Sequence, residues 1–398
     1  MRILTFTSLY PNNIQTTHGI FVESRIRELA RTEGVTLRVV APCPWFPLGS
    51  RTFGRYGEFA RIVKYETRGG IPVYHPRFPL LPKIGMGMAP FLMYAAMKPV
   101  LRRLADSGGP FDLIDAHYFY PDGVAAALLG SAFNRPTVIT ARGTDINLIA
   151  KYRLPRRMIQ WAAGRAAAVI TVCAALKDAL VALDVPAEKI TVLRNGVDLQ
   201  RFRPVPRQEA RDRLGLSGAT LLSVGNLVEL KGHDLVIRAL TRLPDVELLI
   251  VGSGPEEAVL CALAAQEGVS HRVRFLGRLP QDALPEIYTA ADILVLASSR
   301  EGWANVLLEA MACGTPCVAT RVGGTPEVIT SPVAGELANA RTPDALAEAV
   351  TRLLQRKNDR AAVRAYAEQF SWEATTQGQL KLFRGVLGDR RTIAAHAQ

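Results

Sequence analysis

Arg300-Glu301-Gly302-Trp303-Ala304-Asn305-Val306-Leu307-Leu308-Glu309-Ala310-Met311-Ala312-Cys313-Gly314-Thr315-Pro316 reads as a loop, a helix and the turn into a new strand. Gly302 marks the loop, the apolar run from Val306 to Ala312 the helix, and Gly-Thr-Pro the turn. Strand-like runs flank it at Ile293–Leu296 and Pro316–Ala319, so the segment is one strand–helix–strand step of an α/β sheet. Its two carboxylates stand out. Glu309 among Val306, Leu307, Leu308, Ala310, Met311 and Ala312 costs burial energy unless a polar partner compensates it, and the hydroxyls of a bound ribose are one such partner. Glu301 lies just before the helix start, where unsatisfied backbone N–H groups and the helix dipole favour anionic or hydroxyl-rich ligands. The plainer alternative makes both ordinary helix-end acids paired with Arg300 or Arg321.

The same alternation extends both ways. Apolar strands are expected at Arg2–Thr7, Thr36–Ala41, Leu113–Ala116, Thr137–Thr140 and Ala168–Val172, then at Thr220–Val224, Glu247–Val251 and Val273–Leu276. Near-continuous Val/Ile/Leu runs separated by helical stretches indicate parallel strands covered on both faces. A chain of 398 residues is long for one core, so two doubly wound α/β domains follow, with ligands at the carboxyl ends of their strands. The boundary is placed near Pro186–Val192, giving domains 1–188 and 189–370, with Leu193–Asp198 as the turn into the second. A last helix over 371–398, carrying Trp372, Leu380, Leu382 and Phe383, is expected to return to the first domain.

Charge is uneven. Residues 1–190 hold 24 Lys/Arg against 13 Asp/Glu and residues 191–398 hold 24 against 23, so nearly all of the net charge of +12 sits in the first half. That asymmetry points to an anionic partner, such as a membrane surface, there. Within Pro76–Leu104 the apolar run is shorter than the roughly 18 residues of a membrane span and is interrupted by Pro90, Lys98 and Pro99. It reads either as an interfacial helix with basic flanks or as an ordinary core helix. Cys43, Cys173, Cys261, Cys313 and Cys317 show no C-x-x-C pair, so reduced, packed thiols in a cytoplasmic protein are expected, with no metal site. The N-terminus enters a strand at Arg2 with no apolar stretch or cleavage site, so no leader peptide is expected.

Neither half holds G-x-G-x-x-G, since Gly252-Ser253-Gly254-Pro255 fails at the third glycine, and no P-loop, H-E-x-x-H or G-x-S-x-G is present. Another kind of phosphate-binding element is present. In Val224-Gly225-Asn226-Leu227-Val228-Glu229-Leu230-Lys231-Gly232-His233, Gly225 allows close backbone approach and Lys231 stands at a helix start, well placed for a diphosphate. Thr17-His18-Gly19-Ile20-Phe21 offers a weaker second anion site. His117 ends one strand and Arg142-Gly143-Thr144-Asp145 follows the next, on the edge where such sheets bind ligands.

Together these segments resemble glycosyltransferase family 4 over nearly the whole chain. The most specific part is the E-x7-E pattern from Glu301 to Glu309; Asn195-Gly196-Val197-Asp198, Lys231-Gly232, Gly252-Ser253-Gly254-Pro255 and Phe370-Ser371-Trp372 support it. The resemblance implies the GT-B fold, two doubly wound Rossmann-like domains facing across a cleft, and retaining, metal-independent transfer from a nucleotide-diphosphate sugar with no cofactor. It implies Glu309 on the ribose, Glu301 at the donor sugar, Lys231 on the leaving diphosphate and His117 beside the reacting sugar and acceptor. Backbone groups of Ala304, Asn305 and Val306 would bind sugar or phosphate. Gly19 would leave room for the diphosphate, and Gly277–Leu279 would meet the base. The chain departs from the family pattern at Asn226, where an arginine is usual, at Arg194, where proline often precedes Asn-Gly-Val-Asp, and at Arg142, often histidine. Arg194 is a candidate substitute for the missing cation, and Arg142 a contact for an anionic acceptor or the donor. The expected acceptor is a lipid-linked cell-surface polysaccharide, met at the inner face of the membrane. The alternatives are a sugar phosphorylase or nucleotide-sugar epimerase of the same fold, or a basic nucleic-acid-binding module, which no aromatic-basic interleaving supports.

Overall fold

The computed structural model describes residues 1–46, 54–79, 87–356 and 358–396. The chain divides into two compact units, Met1–Arg194 with Glu373–Gln398, and Asn195–Trp372. The expected division at 188/189 falls short of this one, because Ile190–Val192 is an edge strand of the first sheet, paired parallel to Ala168–Thr171.

The first sheet runs Ile190–Val192, Ala168–Thr171, Thr137–Ala141, Leu113–His117, Arg2–Phe6, Thr36–Val40, Ile71–Tyr74, Tyr65–Arg68. All neighbours are parallel except the last pair, an antiparallel hairpin turned at Gly69–Gly70. The strand order reverses between Arg2–Phe6 and Leu113–His117, which opens a crevice at their carboxyl ends. Helix Ile20–Ala30 buries Val22, Ile26 and Leu29 against Ile3, Val39, Leu113 and Val138, and Leu380 and Phe383 of the last helix join the same core. Each fully buried Leu or Phe side chain contributes about 1.5–3 kcal/mol, enough to hold the last helix on this domain.

Helix Ala89–Gly108 buries Met93, Met97 and Leu101, the spacing of one helix face, and packs on helix Val124–Ala132. The core reading therefore holds for that face, while the large apolar side chains of Met88 and Phe91, at its start, are exposed. Residues 80–86 of the expected interfacial segment lie outside the described residues. Among the described residues no helix is long and apolar enough to cross a membrane. Four of the five cysteines are buried, but Cys261 is exposed, contrary to the packed state expected for all five.

The second sheet is wholly parallel, in the order Val273–Gly277, Val246–Val251, Ala219–Val224, Ile293–Leu296, Cys317–Thr320, Gly335–Ala338. Its order reverses between Ala219–Val224 and Ile293–Leu296, so the loops leaving those two strands are neighbours. The loops at this carboxyl edge lie backbone against backbone. A Cβ on Gly252 would stand 1.8 Å from the Gly225 carbonyl oxygen, and one on Gly232 2.2 Å from that of Ala297. The glycines of Gly252-Ser253-Gly254 thus serve loop packing. Gly252→Ala, with φ +148 and a backbone clash, should cost about 3 kcal/mol of stability. Gly277→Ala, where only the φ of +66 opposes a side chain, should cost about 1 kcal/mol; equal losses in denaturant melts would refute the clash.

Candidate active site

Lys231 and Glu301 meet at the switch point of the second sheet. The loop after Ala219–Val224 carries Lys231, and the loop after Ile293–Leu296 carries Glu301. Gly232 lets the first ride against Ala297, and the Ser299 amide donates to the Leu230 carbonyl at 2.8 Å. Lys231 Nζ consequently lies 2.7 Å from Glu301 Oε1, which also accepts the Ser298 hydroxyl at 2.7 Å. Glu301 is thus ion-paired with Lys231. Gly225 borders this pair, since its missing Cβ would sit 3.6 Å from the Lys231 stem.

His233 holds the Lys231 loop in place. Its Nδ1 lies 2.9 Å from the Ser223 hydroxyl and its Nε2 3.3 Å from the Asn226 carbonyl. A carbonyl only accepts, so Nε2 carries the proton and Nδ1 accepts from Ser223. Burial pulls the imidazole down to about 4, with the Asn226 bond opposing, so the ring is neutral. Asn226 itself is exposed.

Glu309 sits in helix Asn305–Ala312, half-buried beside fully buried Leu308 and Ala310. Its compensation is one hydrogen bond, from the Tyr288 hydroxyl to Oε2 at 2.8 Å. One bond does not offset the lost hydration, and burial raises the carboxyl to about 7, with Tyr288 and then Arg201 opposing. Tyr288, in helix Leu284–Ala290, carries no sequence signal linking it to Glu309, whereas Ser298 and His233 lie within three residues of Glu301 and Lys231 in the chain. At the start of the Glu309 helix, Ala304 is buried, while Asn305 and Val306 are half-buried. The Asn305 side-chain oxygen accepts from Asn195 Nδ2 at 3.3 Å, and Gly196 lies against the Ser371–Trp372 backbone. Gly277 closes its strand by accepting the Gly252 amide, and Leu279 beyond it is half-buried.

In the first unit, His117 and Arg142 stand at the carboxyl ends of neighbouring strands. Arg142 Nη2 meets His117 Nδ1, and His117 Nε2 lies 3.1 Å from Asp115 Oδ2. Arginine only donates, so His117 is protonated on Nε2, and that N–H donates a hydrogen bond to Asp115 Oδ2. Burial lowers its pKa to about 4 against the pull of Asp115, and the ring is wholly inaccessible. Both nitrogens of His117 are bound by protein, and Arg142, 8% exposed and 5.5 Å from the Phe21 ring centroid, is the outer member of the pair. Asp145 is a staple, accepting the amides of Phe119, Gly143 and Arg142 at 2.8, 2.7 and 3.1 Å. Tyr118, next to His117, is held at φ 82, a costly conformation that the Phe119 amide's bond to Asp145 helps to maintain. Gly19 caps helix Ile20–Ala30, and its missing Cβ faces the Leu9 carbonyl at 2.3 Å, so contact with Leu9 already demands glycine there. Arg194 is exposed and ends the first unit. Among the described residues no three His, Cys, Asp or Glu side chains gather as a metal would require.

Residues 19–201 match the family profile described as Glycosyltransferase Family 4, and residues 206–370 that described as Glycosyl transferases group 1. The chain is 32% identical over 363 residues to TuaC of Bacillus subtilis (strain 168), a glycosyltransferase named for teichuronic acid biosynthesis, over 88% of this chain and 89% of that protein. It is 38% identical over 223 residues to the D-inositol 3-phosphate glycosyltransferase of Mycobacterium leprae (strain Br4923), about half of each chain at 52%. Among solved structures, sucrose-phosphate synthase from Thermosynechococcus elongatus superposes with a TM-score of 0.79 at 21% identity, covering 98% of this chain and 99% of that one. Anabaena HepE in complex with UDP-glucose gives 0.73 at 21% identity, covering 96% and 99%. At these identities the structural likeness establishes the GT-B fold.

The raised Glu309 carboxyl has a measurable consequence. The folded protein keeps a proton that the unfolded chain releases near 4.5, so this group makes stability fall as pH rises from about 4.5 to 7. Glu309→Gln removes that titration. The melting temperature of the variant relative to wild type should be most favourable near pH 8 and shrink toward pH 5; a gap independent of pH would refute it.

Proposed function

Since the chain belongs to glycosyltransferase family 4, we propose that it transfers a sugar, with retention at the anomeric carbon, from a nucleotide diphosphate to a lipid-linked cell-surface polysaccharide. The observation that carries this reading is the Lys231–Glu301 pair at the switch point, with Glu309 on the helix that follows. Glu309 has the Tyr288 hydroxyl on Oε2, so Oε1 can accept ribose hydroxyls. Such donors stabilise the ionised carboxylate that burial disfavours. Lys231 and backbone groups around Ala304, Asn305 and Val306 meet the negative charge that grows on the diphosphate as the glycosidic bond lengthens. Glu301, holding Lys231 at 2.7 Å, is the group for the sugar hydroxyls. The acceptor oxygen attacks from the face the diphosphate leaves, and its proton passes to a donor phosphate oxygen. Charge neutralisation by Lys231 and helix N-termini makes a divalent ion unnecessary, so activity should survive EDTA.

The acceptor class rests on the likeness to TuaC and on the surface of the first unit. Lys151, Tyr152, Arg153, Leu154, Arg156, Arg157, Trp161 and Arg165, on and just before helix Arg153–Arg165, are all exposed. No acidic residue occurs between Asp145 and Asp178. Leu154 lies against Gly87, beside exposed Met88, so basic and apolar groups share this surface, as an anionic lipid interface requires.

Lys231→Ala should lower kcat about 100-fold, the loss of roughly 3 kcal/mol typical of one transition-state donor, whereas Glu309→Ala should abolish the rise in melting temperature caused by a nucleoside diphosphate. A nucleotide that stabilises wild type and Glu309→Ala equally would sink the ribose assignment. Arg156→Ala with Arg157→Ala should weaken binding to anionic vesicles about thirtyfold, at about 1 kcal/mol per charge. Unchanged vesicle binding would remove the membrane reading and leave the transfer reading intact.

A further inference from the structure

The Asp115–His117–Arg142 chain continues inward to the last helix. Gln379 Nε2 donates to Asp115 Oδ2 at 3.1 Å, the same oxygen that His117 Nε2 meets. Gln379 Oε1 accepts from Arg25 Nε at 2.9 Å, and Arg25 Nη1 reaches the Leu193 carbonyl at 3.1 Å. Arg25 is 1% exposed, and Asp115, His117 and Gln379 are wholly buried. A core needed only for stability gains nothing from this arrangement, because replacing buried ion pairs with packed apolar groups is commonly neutral or stabilising. The polar chain also has a direction. It starts where the polypeptide leaves and re-enters this unit, at Leu193 and just before Gln379, and ends on Arg142.

We propose that Gln379 is a positioning residue of the sugar transfer: with Arg25 it holds Asp115 as the acceptor for His117 Nε2–H, leaving His117 Nδ1 to fix the Arg142 guanidinium. This rests on the reading in which Arg142 meets the substrate. Gln379 sits one residue before Leu380, whose burial anchors the helix, so its side chain is carried to Asp115 by packing it does not itself provide. The charged groups facing His117 are Asp115, Arg142 and Arg25, with Asp145 beyond Arg142.

Two substitutions separate positioning from packing. Gln379→Leu removes both bonds. Gln379→Glu keeps an acceptor for Arg25 but turns the donor toward Asp115 into another acceptor, so a purely structural role for the Arg25 bond survives it. The readout is the 15N spectrum of histidine-labelled full-length protein, with the His117 signals identified as those missing in His117→Gln. Wild type should show a neutral ring protonated on Nε2, and both variants should lose that pattern. In both, kcat should fall about tenfold while the donor KM stays within about twofold, because Lys231, Glu301 and Glu309 belong to the other unit. A wild-type His117 spectrum and kcat in Gln379→Glu would overturn the proposal, even if Gln379→Leu failed to fold. A wild type without sugar transfer would instead be a failure of the functional reading, and the spectra alone would then decide the positioning.

Discussion

The close approach of backbone to backbone along the carboxyl edge of the second sheet is the constraint on which the site depends. Lys231 reaches Glu301 because Gly232 allows its loop to lie on Ala297, and the Ser299 amide then bonds to Leu230. Gly252 brings the next loop against Gly225, and the Gly324 amide donates to Gly302 from the far side. Four neighbouring strand ends thus surround the Lys231–Glu301 pair with fixed backbone, and His233, neutral and doubly bonded, keeps the loop from relaxing. A cation and a carboxylate fixed this way need little reorganisation when charge develops on a ligand beside them, which is how preorganised sites lower a barrier.

Both units carry ionisable groups under cover, but they are compensated differently. In the first, Asp115, His117, Arg142, Arg25 and Gln379 bond to one another, and Asp145 is satisfied by three backbone amides. In the second, Glu309 has only the Tyr288 hydroxyl, and its carboxyl is raised accordingly. The first arrangement ties five side chains into one chain, although Asp115 Oδ1 and Arg25 Nη2 lie buried within it without a hydrogen bond; the second holds Glu309 by a single bond. Burial with one partner is what makes the ionised Glu309 costly.

The basic surface of the first unit is a separate matter from its core. Helix Ala89–Gly108 turns Met93, Met97 and Leu101 inward like any amphipathic helix, so the hydrophobicity of that segment is mostly spent on packing. The exposed apolar and cationic groups sit instead around helix Arg153–Arg165, whose sequence reads as polar. Hydropathy alone does not separate the two, because it counts side chains without knowing which face they occupy.

All ten strands expected from apolar runs are present, since a parallel strand covered on both faces must be apolar along its length, a property local to the chain. The edge strands Tyr65–Arg68, Ile190–Val192 and Gly335–Ala338 escaped notice because an edge is half solvated and its residues need not be apolar. The positions of Lys231, Glu301, Glu309 and Arg142 in their loops and helices were likewise legible, because Gly-containing turns and helix starts are written in neighbouring residues. Their partners were not. Lys231 and Glu301 are 70 residues apart and Gln379 and Asp115 264, and nothing in either segment names the other. Sequence alone determined the alternation of strands and helices and the loops that carry the candidate site; the tertiary structure decided which charges meet, because hydrogen-bond partners are chosen by distance in space and strand order, which the chain acquires only on folding.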